Sequence, residues 1–106
     1  MICDEVQSGL GRTGEILAHH HDFRGTDYKP DIVCVGKAMT GAMTPGSGIV
    51  GDRDVMSTLK VGDHGGTYGG NPLTMAIMKA SLEVLRDEGM VENSKEVGGY
   101  FKDRLL

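Results

Sequence analysis

The sequence predicts an α/β fold with a mostly parallel sheet flanked by helices, and three observations lead there. Ile32-Val33-Cys34-Val35 is a run of four apolar residues, three of them β-branched, that fits a short strand covered on both faces. Met1-Ile2-Cys3 reads as the end of a second strand. From Pro72 to about Glu88 apolar residues recur at helical spacing, which supplies a helix to cover such a sheet.

In chain order, Asp4-Glu5-Val6-Gln7 follows directly on the first strand, where a carboxylate can cap a turn or face a ligand. Gly9-Leu10-Gly11-Arg12-Thr13-Gly14 has the spacing of a dinucleotide fingerprint but not its context. That fingerprint needs glycines tight against the strand, a full crossover helix and a second strand ending in an acid. Here five residues intervene and the helical pattern from Glu15 to Phe23 is short, so no dinucleotide site is expected. His19-His20-His21-Asp22 is expected to be a solvated helix end rather than a metal site, because consecutive residues point in different directions on a helix. Gly25 to Pro30 is a polar connection.

The strand at 32–35 then breaks at Gly36 and delivers Lys37. The carboxyl ends of strands are where open α/β sheets bind ligands. A partly desolvated lysine there can lose its proton and act as an amine nucleophile, although most lysines after strands are solvated loop residues. A Walker phosphate loop is excluded, since Ala38 follows Lys37 and Asp31 stands where its first glycine belongs.

Beyond Lys37 the chain turns through Thr40 to Gly46 into a short apolar strand, Ser47 to Val50. Asp52 is expected to cap a helix running to about Leu59. Gly62 to Pro72 holds five glycines in eleven residues. Exposed backbone N–H groups of that kind form anion-binding concavities, and Thr67 adds a hydroxyl suited to a phosphate oxygen. The same stretch also fits a plain turn before a helix capped by Asn71 with Pro72 at its first position. On that helix Leu73, Ile77, Ala80 and Val84 share a predicted core face, widened by Met78, Leu82 and Leu85, and Gly89 stops it. A last helix places Val97, Phe101 and Leu105 in register and carries Gly98-Gly99, at roughly 1 kcal/mol each relative to alanine. Starting within a strand and ending within a helix, the 106 residues read as a piece of a larger domain.

Composition narrows the function classes. A net charge of −4 with no block of like charge argues against nucleic acid as a partner. Cys3 and Cys34 lie in apolar strand-like runs and read as buried thiols of a reducing compartment. No apolar run approaches the roughly 20 residues that span a bilayer, so no membrane partner is expected. Seventeen glycines in an otherwise ordinary chain suggest backbone held in tight turns or close to a ligand.

Three stretches also carry a family resemblance. They are Asp4-Glu5-Val6-Gln7 with Gly9, Gly11 and Arg12-Thr13-Gly14, then Pro30-Asp31-Ile32-Val33 with Gly36-Lys37-Ala38, then His64 through Pro72. In order and spacing they resemble the successive signatures of class III pyridoxal-phosphate-dependent aminotransferases. Asp54-Val55-Met56 through Leu73, with the helices after it, is most similar to the ornithine aminotransferases within that family.

The resemblance implies a fold-type I transferase, with residues 1–106 a fragment of its cofactor-binding large domain and the N-terminal segment and small C-terminal domain absent. It implies pyridoxal 5′-phosphate as cofactor and no metal. Lys37 would condense with the cofactor aldehyde and later move a proton. Asp4 would pair with the pyridine nitrogen, Val6 would pack on the ring and Gln7 would hydrogen-bond its phenolic oxygen. Thr67, beside Gly66, would reach the phosphate held by the neighbouring subunit of a homodimer. Gly66 stands where relatives commonly have a hydroxyl residue, and Ala42 stands where a glycine is usual. The family's first phosphate loop, ring-stacking aromatic residue and substrate-carboxylate arginine have no counterpart, so the chain by itself is not expected to transaminate. The implied substrates are ornithine, through its δ-amino group, and 2-oxoglutarate. Acetylornithine or 4-aminobutyrate transamination and a non-catalytic truncated homologue are the alternatives. Related enzymes occur in the cytoplasm and the mitochondrial matrix, and a targeting segment is not present in these residues.

Overall fold

The computed structural model describes residues 1–106 and centres on a three-stranded sheet. Strands β1 (Ile2–Asp4) and β2 (Ile32–Val35) are parallel, with Ile2 opposite Ile32 and Asp4 opposite Cys34. The Glu5 amide donates to the Cys34 carbonyl at 2.9 Å and carries the pairing one residue further. Strand β3 (Gly48–Gly51) lies antiparallel on the other side of β2, pairing Val35 with Gly48 and Ile32 with Gly51. A parallel return would need a crossover helix, and the connection holds only a tight 3-10 turn at Lys37–Thr40. The third strand is thus displaced by one residue from its expected span.

Helices α1 (His20–Phe23), α2 (Arg53–Met56), α3 (Pro72–Asp87) and α4 (Met90–Leu105) complete the chain. Several expectations need correction. The helical pattern from Glu15 to Phe23 yields only the single turn α1, because residues 15–19 are bent to meet Glu5. Asp52 occupies the position before α2 but makes no cap bond, since its carboxylate is held by the Lys29 ammonium at 2.7 Å. Helix α3 starts as expected: Asn71 Oδ1 accepts the Thr74 amide at 2.9 Å and Pro72 takes the first position.

The covered face of α3 is rotated from the predicted one. Thr74 and Met78 are buried, whereas Leu73 is 68% exposed and Val84 45%. The surface that α3 meets is a backbone turn rather than a row of apolar side chains. A Cβ built at Gly46 would lie 2.2 Å from Met78 Cε and 2.7 Å from Thr40 Cγ2, so the helix sits directly on that glycine. Ser81 completes the contact by donating to the Ala38 carbonyl at 3.2 Å. Strand β2 likewise buries only Val33 and Val35 fully, with Ile32 and Cys34 half-buried. Cys3 and Cys34 are free thiols, both half-buried rather than fully enclosed.

Helix α4 packs on α3 and on the loop at 9–14, where Ser94 Oγ donates to the Arg12 carbonyl at 3.0 Å. Gly14, at φ +83°, brings its backbone so close that a Cβ would meet Lys95 Cα at 2.9 Å. Val97, Phe101 and Leu105 face solvent. Only 10 of the 106 residues are buried. The radius of gyration is 15.7 Å, whereas a compact chain of this length would have about 13 Å. No helix is long and apolar enough to cross a membrane.

Candidate active site

Strands β1 and β2 run in the same direction, so Asp4 and Lys37 emerge at the same edge of the sheet. Lys37 adopts φ +46°, in the left-handed region, which costs a residue with a Cβ about 1–2 kcal/mol. The backbone around it is pinned by the Met39 amide on the Gly36 carbonyl (3.1 Å), by Ser81 on Ala38, and by the buried Thr40 hydroxyl on the Thr44 carbonyl (2.5 Å). Strain held this firmly, at a lysine on a sheet edge, makes Lys37 a candidate functional position.

The Lys37 ammonium donates to Gln7 Oε1 at 2.8 Å. Asp4 Oδ1 accepts the Val6 amide at 3.0 Å, closing a turn that orients the carboxylate, while Oδ2 accepts nothing from the chain. Val6, Gln7, Arg12, Lys37 and Ala38 line a cleft of about 320 Å³. Arg12 and Lys37 also line its neighbour of about 460 Å³, which continues past Thr40 and Ala42 to Gly46. The structure thereby brings Lys37, Val6 and Gln7 to one cleft, with Asp4 attached through Val6. Lys37 is exposed within these residues.

Gly66 and Thr67 are not part of that cleft. They sit on the exposed loop before α3, and Gly66 lines a separate cleft that reaches the Lys37 side only at Pro45 and Gly46. A Cβ at Gly66 would meet nothing within 4 Å. Ala42 has φ +63°, so the turn holds alanine in a left-handed conformation that glycine adopts more readily.

Two residues without an assigned role lie at or beside this cleft. Arg12 adds positive charge on both clefts beside Lys37. Glu5 is 3% exposed, and its carboxylate collects four hydrogen bonds. Oε2 accepts from Ser8 Oγ and the Ala18 amide, both at 2.9 Å; Oε1 accepts from the His19 amide at 2.8 Å and from His19 Nδ1 at 3.0 Å. Burial favours its neutral form, but these bonds, led by the His19 and Ala18 amides, outweigh that and hold it below its ordinary value of 4.5.

The histidines correspondingly do not form the solvated helix end read from the sequence. His19 is drawn inward by Glu5, and the His20 ring meets it edge-on at 4.7 Å with an enclosed Nδ1. Only His21 is exposed, with Nε2 3.2 Å from Thr13. No group of three or more His, Cys, Asp or Glu side chains is placed to hold a metal ion.

Comparison with known proteins matches this arrangement to one family. The model of the family "Aminotransferase class-III" matches residues 1–106. A probable mitochondrial ornithine aminotransferase from Caenorhabditis elegans is 49% identical over 104 residues, covering 98% of this chain and 24% of the relative. The solved ornithine aminotransferase of Toxoplasma gondii, described with partial occupancy of PLP at its active site, is 43% identical with a TM-score of 0.90, over 98% of this chain and 24% of that one. An acetylornithine aminotransferase from Elizabethkingia anophelis is 41% identical with a TM-score of 0.89, over 98% of this chain and 25% of that one. The chain thus spans about a quarter of the length of these relatives. With its whole length matched and its α/β architecture superimposing on solved members, the chain belongs to the class-III aminotransferase family.

Proposed function

We propose that residues 1–106 are part of the large domain of a pyridoxal-phosphate-dependent enzyme that transfers the δ-amino group of ornithine to 2-oxoglutarate. The observation that carries this reading is the strained Lys37 at the carboxyl end of β2, bonded to Gln7 and sharing its sheet edge with Asp4. The donor set fits the cofactor. An amine, an amide and a carboxylate with one free oxygen are what an aldehyde, a phenolic oxygen and a pyridine nitrogen require.

When bound, pyridoxal phosphate supplies an electron sink for the substrate's amino-bearing carbon. The remaining work falls to the chain. Asp4, its carboxylate kept in place by the Val6 amide, would hold a proton on the ring nitrogen through a charge-assisted hydrogen bond. Val6 and Gln7 would fix the ring plane. Lys37 would hold the cofactor through Nζ, and the same amine, when free, would be the group placed to move a proton at the substrate carbon. Gly66 and Thr67, exposed and outside the Lys37 cleft, suit a role toward a second copy of the chain, where Thr67 would bond the partner's cofactor phosphate. This reading makes the working enzyme a homodimer.

Ornithine is favoured by the identity to ornithine aminotransferases, and similarity to the Elizabethkingia protein keeps acetylornithine as a second reading. The test is a substrate profile of the full-length polypeptide that carries this segment. With 2-oxoglutarate as acceptor, turnover of ornithine well above that of acetylornithine and 4-aminobutyrate is expected. Preference for acetylornithine would replace the first reading by the second.

A further inference from the structure

Glu5 is buried one residue from Asp4 and two from Gln7, yet its side chain turns away from the Lys37 cleft to residues 8, 18 and 19. Each carboxylate oxygen accepts one backbone N–H and one side-chain donor, which uses the full acceptor capacity of an ionised carboxylate. His19 Nδ1 must carry hydrogen here, since its partner only accepts. Glutamine cannot reproduce the arrangement, because its amide nitrogen would face the Ala18 N–H or the His19 N–H as donor against donor. Aspartate would fall short by one methylene.

What these bonds join is the second clue. The Glu5 carbonyl accepts the Gly9 amide at 2.9 Å, and a Cβ at Gly9 would come within 2.8 Å of that same oxygen. The segment from Gly9 to His19 is therefore closed into a loop whose two ends both rest on Glu5. That loop carries Arg12 to the wall of the cleft, while the Asp4–Gln7 turn carries Gln7 to Lys37 from the other side.

We propose that Glu5 is the positioning residue of this site: its four-fold hydrogen-bonded carboxylate locks the Asp4–Gln7 turn to the 9–19 loop and thereby sets Gln7 and Arg12 around Lys37. Glu5 touches neither substrate nor cofactor and acts through these neighbours. The inference rests on the proposed cofactor reading for its consequence in binding, but not for its structural half.

The experiment uses the full-length polypeptide and Glu5→Gln, with two readouts below the melting temperature of both. Hydrogen exchange is followed in the cofactor-free protein, and pyridoxal phosphate affinity is measured by equilibrium titration. Loss of a charge-assisted network predicts exchange at Ala18 and His19 faster by about tenfold or more, and a Kd raised by a similar factor. Exchange outside residues 4–19 stays unchanged. A lower melting temperature with unaltered exchange at 8–19 and unaltered Kd would overturn the proposal, since a purely structural residue behaves that way. If Glu5→Gln does not fold, Ser8→Ala and His19→Ala each remove one side-chain donor and keep both backbone bonds. Each should shift both readouts about two- to fivefold in the same direction, and no shift in either overturns it. If the unaltered protein binds no pyridoxal phosphate, the cofactor reading fails, and the exchange readout alone then decides for or against Glu5.

Discussion

The two glycine-rich regions of this chain look alike in sequence and behave oppositely in structure. Gly9, Gly11 and Gly14 are buried; a Cβ would collide with Glu5 at Gly9 and with Lys95 at Gly14, and would press on Val91 at Gly11. Gly62, Gly65, Gly66 and Gly70 meet nothing within 4 Å, and every residue from Gly62 to Gly70 is exposed. The first set lets backbone approach backbone inside the chain. The second leaves a loop free to approach something outside it. Under the proposed function this separates a half-site built within one subunit from a half-site offered to another.

The widest break in that comparison comes from Lys37→Ala. Losing both the attachment amine and the proton carrier should lower turnover of the full-length enzyme by at least about 10⁴-fold. Cofactor-independent stability should change little, since Lys37 is exposed and alanine removes no packed side chain. Initial-rate assays with ornithine and chemical unfolding measure the two.

Gly9→Ala tests the inward-facing region. Its Cβ would press on the Glu5 carbonyl and Cβ, neither of which is a flexible side-chain end, so urea unfolding should register a loss of about 1–3 kcal/mol. The same change at Gly65, where space is open, should stay within about 0.5 kcal/mol. Equal losses at the two positions would erase the distinction.

Gly66→Ser tests the outward-facing loop. Nothing obstructs the added hydroxyl, and one new bond to the cofactor phosphate should tighten its binding by about 1 kcal/mol, read as a roughly fivefold lower Kd. Ala42→Gly should be smaller still. It relieves a left-handed alanine at φ +63° but raises the freedom of the unfolded chain, leaving a gain of at most about 1 kcal/mol in unfolding experiments.

Glu5 adds a pH dependence with a definite sign. Its carboxyl is held below the ordinary value of 4.5 in the folded chain. Its stabilisation is therefore fully present above that value and is lost as pH falls through the folded-state value. The stability difference between the unaltered protein and Glu5→Gln should accordingly be largest near neutrality and shrink toward acid. A constant difference across that range would mean that the ionised form is not what the fold uses.

How far the sequence could be read follows the range of the interactions involved. Strand β2, the lysine at its end and the Asn71-Pro72 helix start depend on residues adjacent in sequence, and all three are where their local chemistry puts them. The covered face of α3 was misread because periodicity assumes an apolar partner, and this helix instead rests on Gly46 and the Ala38 carbonyl through Thr74, Met78 and Ser81. Glu5 was passed over for a related reason. Its partners at 18 and 19 reach it only after the glycines at 9, 11 and 14 have turned the chain back. The histidine run then read as solvent-facing, since nothing beside it in sequence announces a buried carboxylate.

The most direct test of the account is borohydride reduction of the full-length polypeptide incubated with pyridoxal phosphate, followed by peptide mapping by mass spectrometry. The account predicts a pyridoxyl adduct on Lys37 and on no other lysine, absent from Lys37→Ala. A folded protein that carries no adduct at Lys37, or carries it elsewhere, would contradict it and leave the strained lysine as part of a scaffold only.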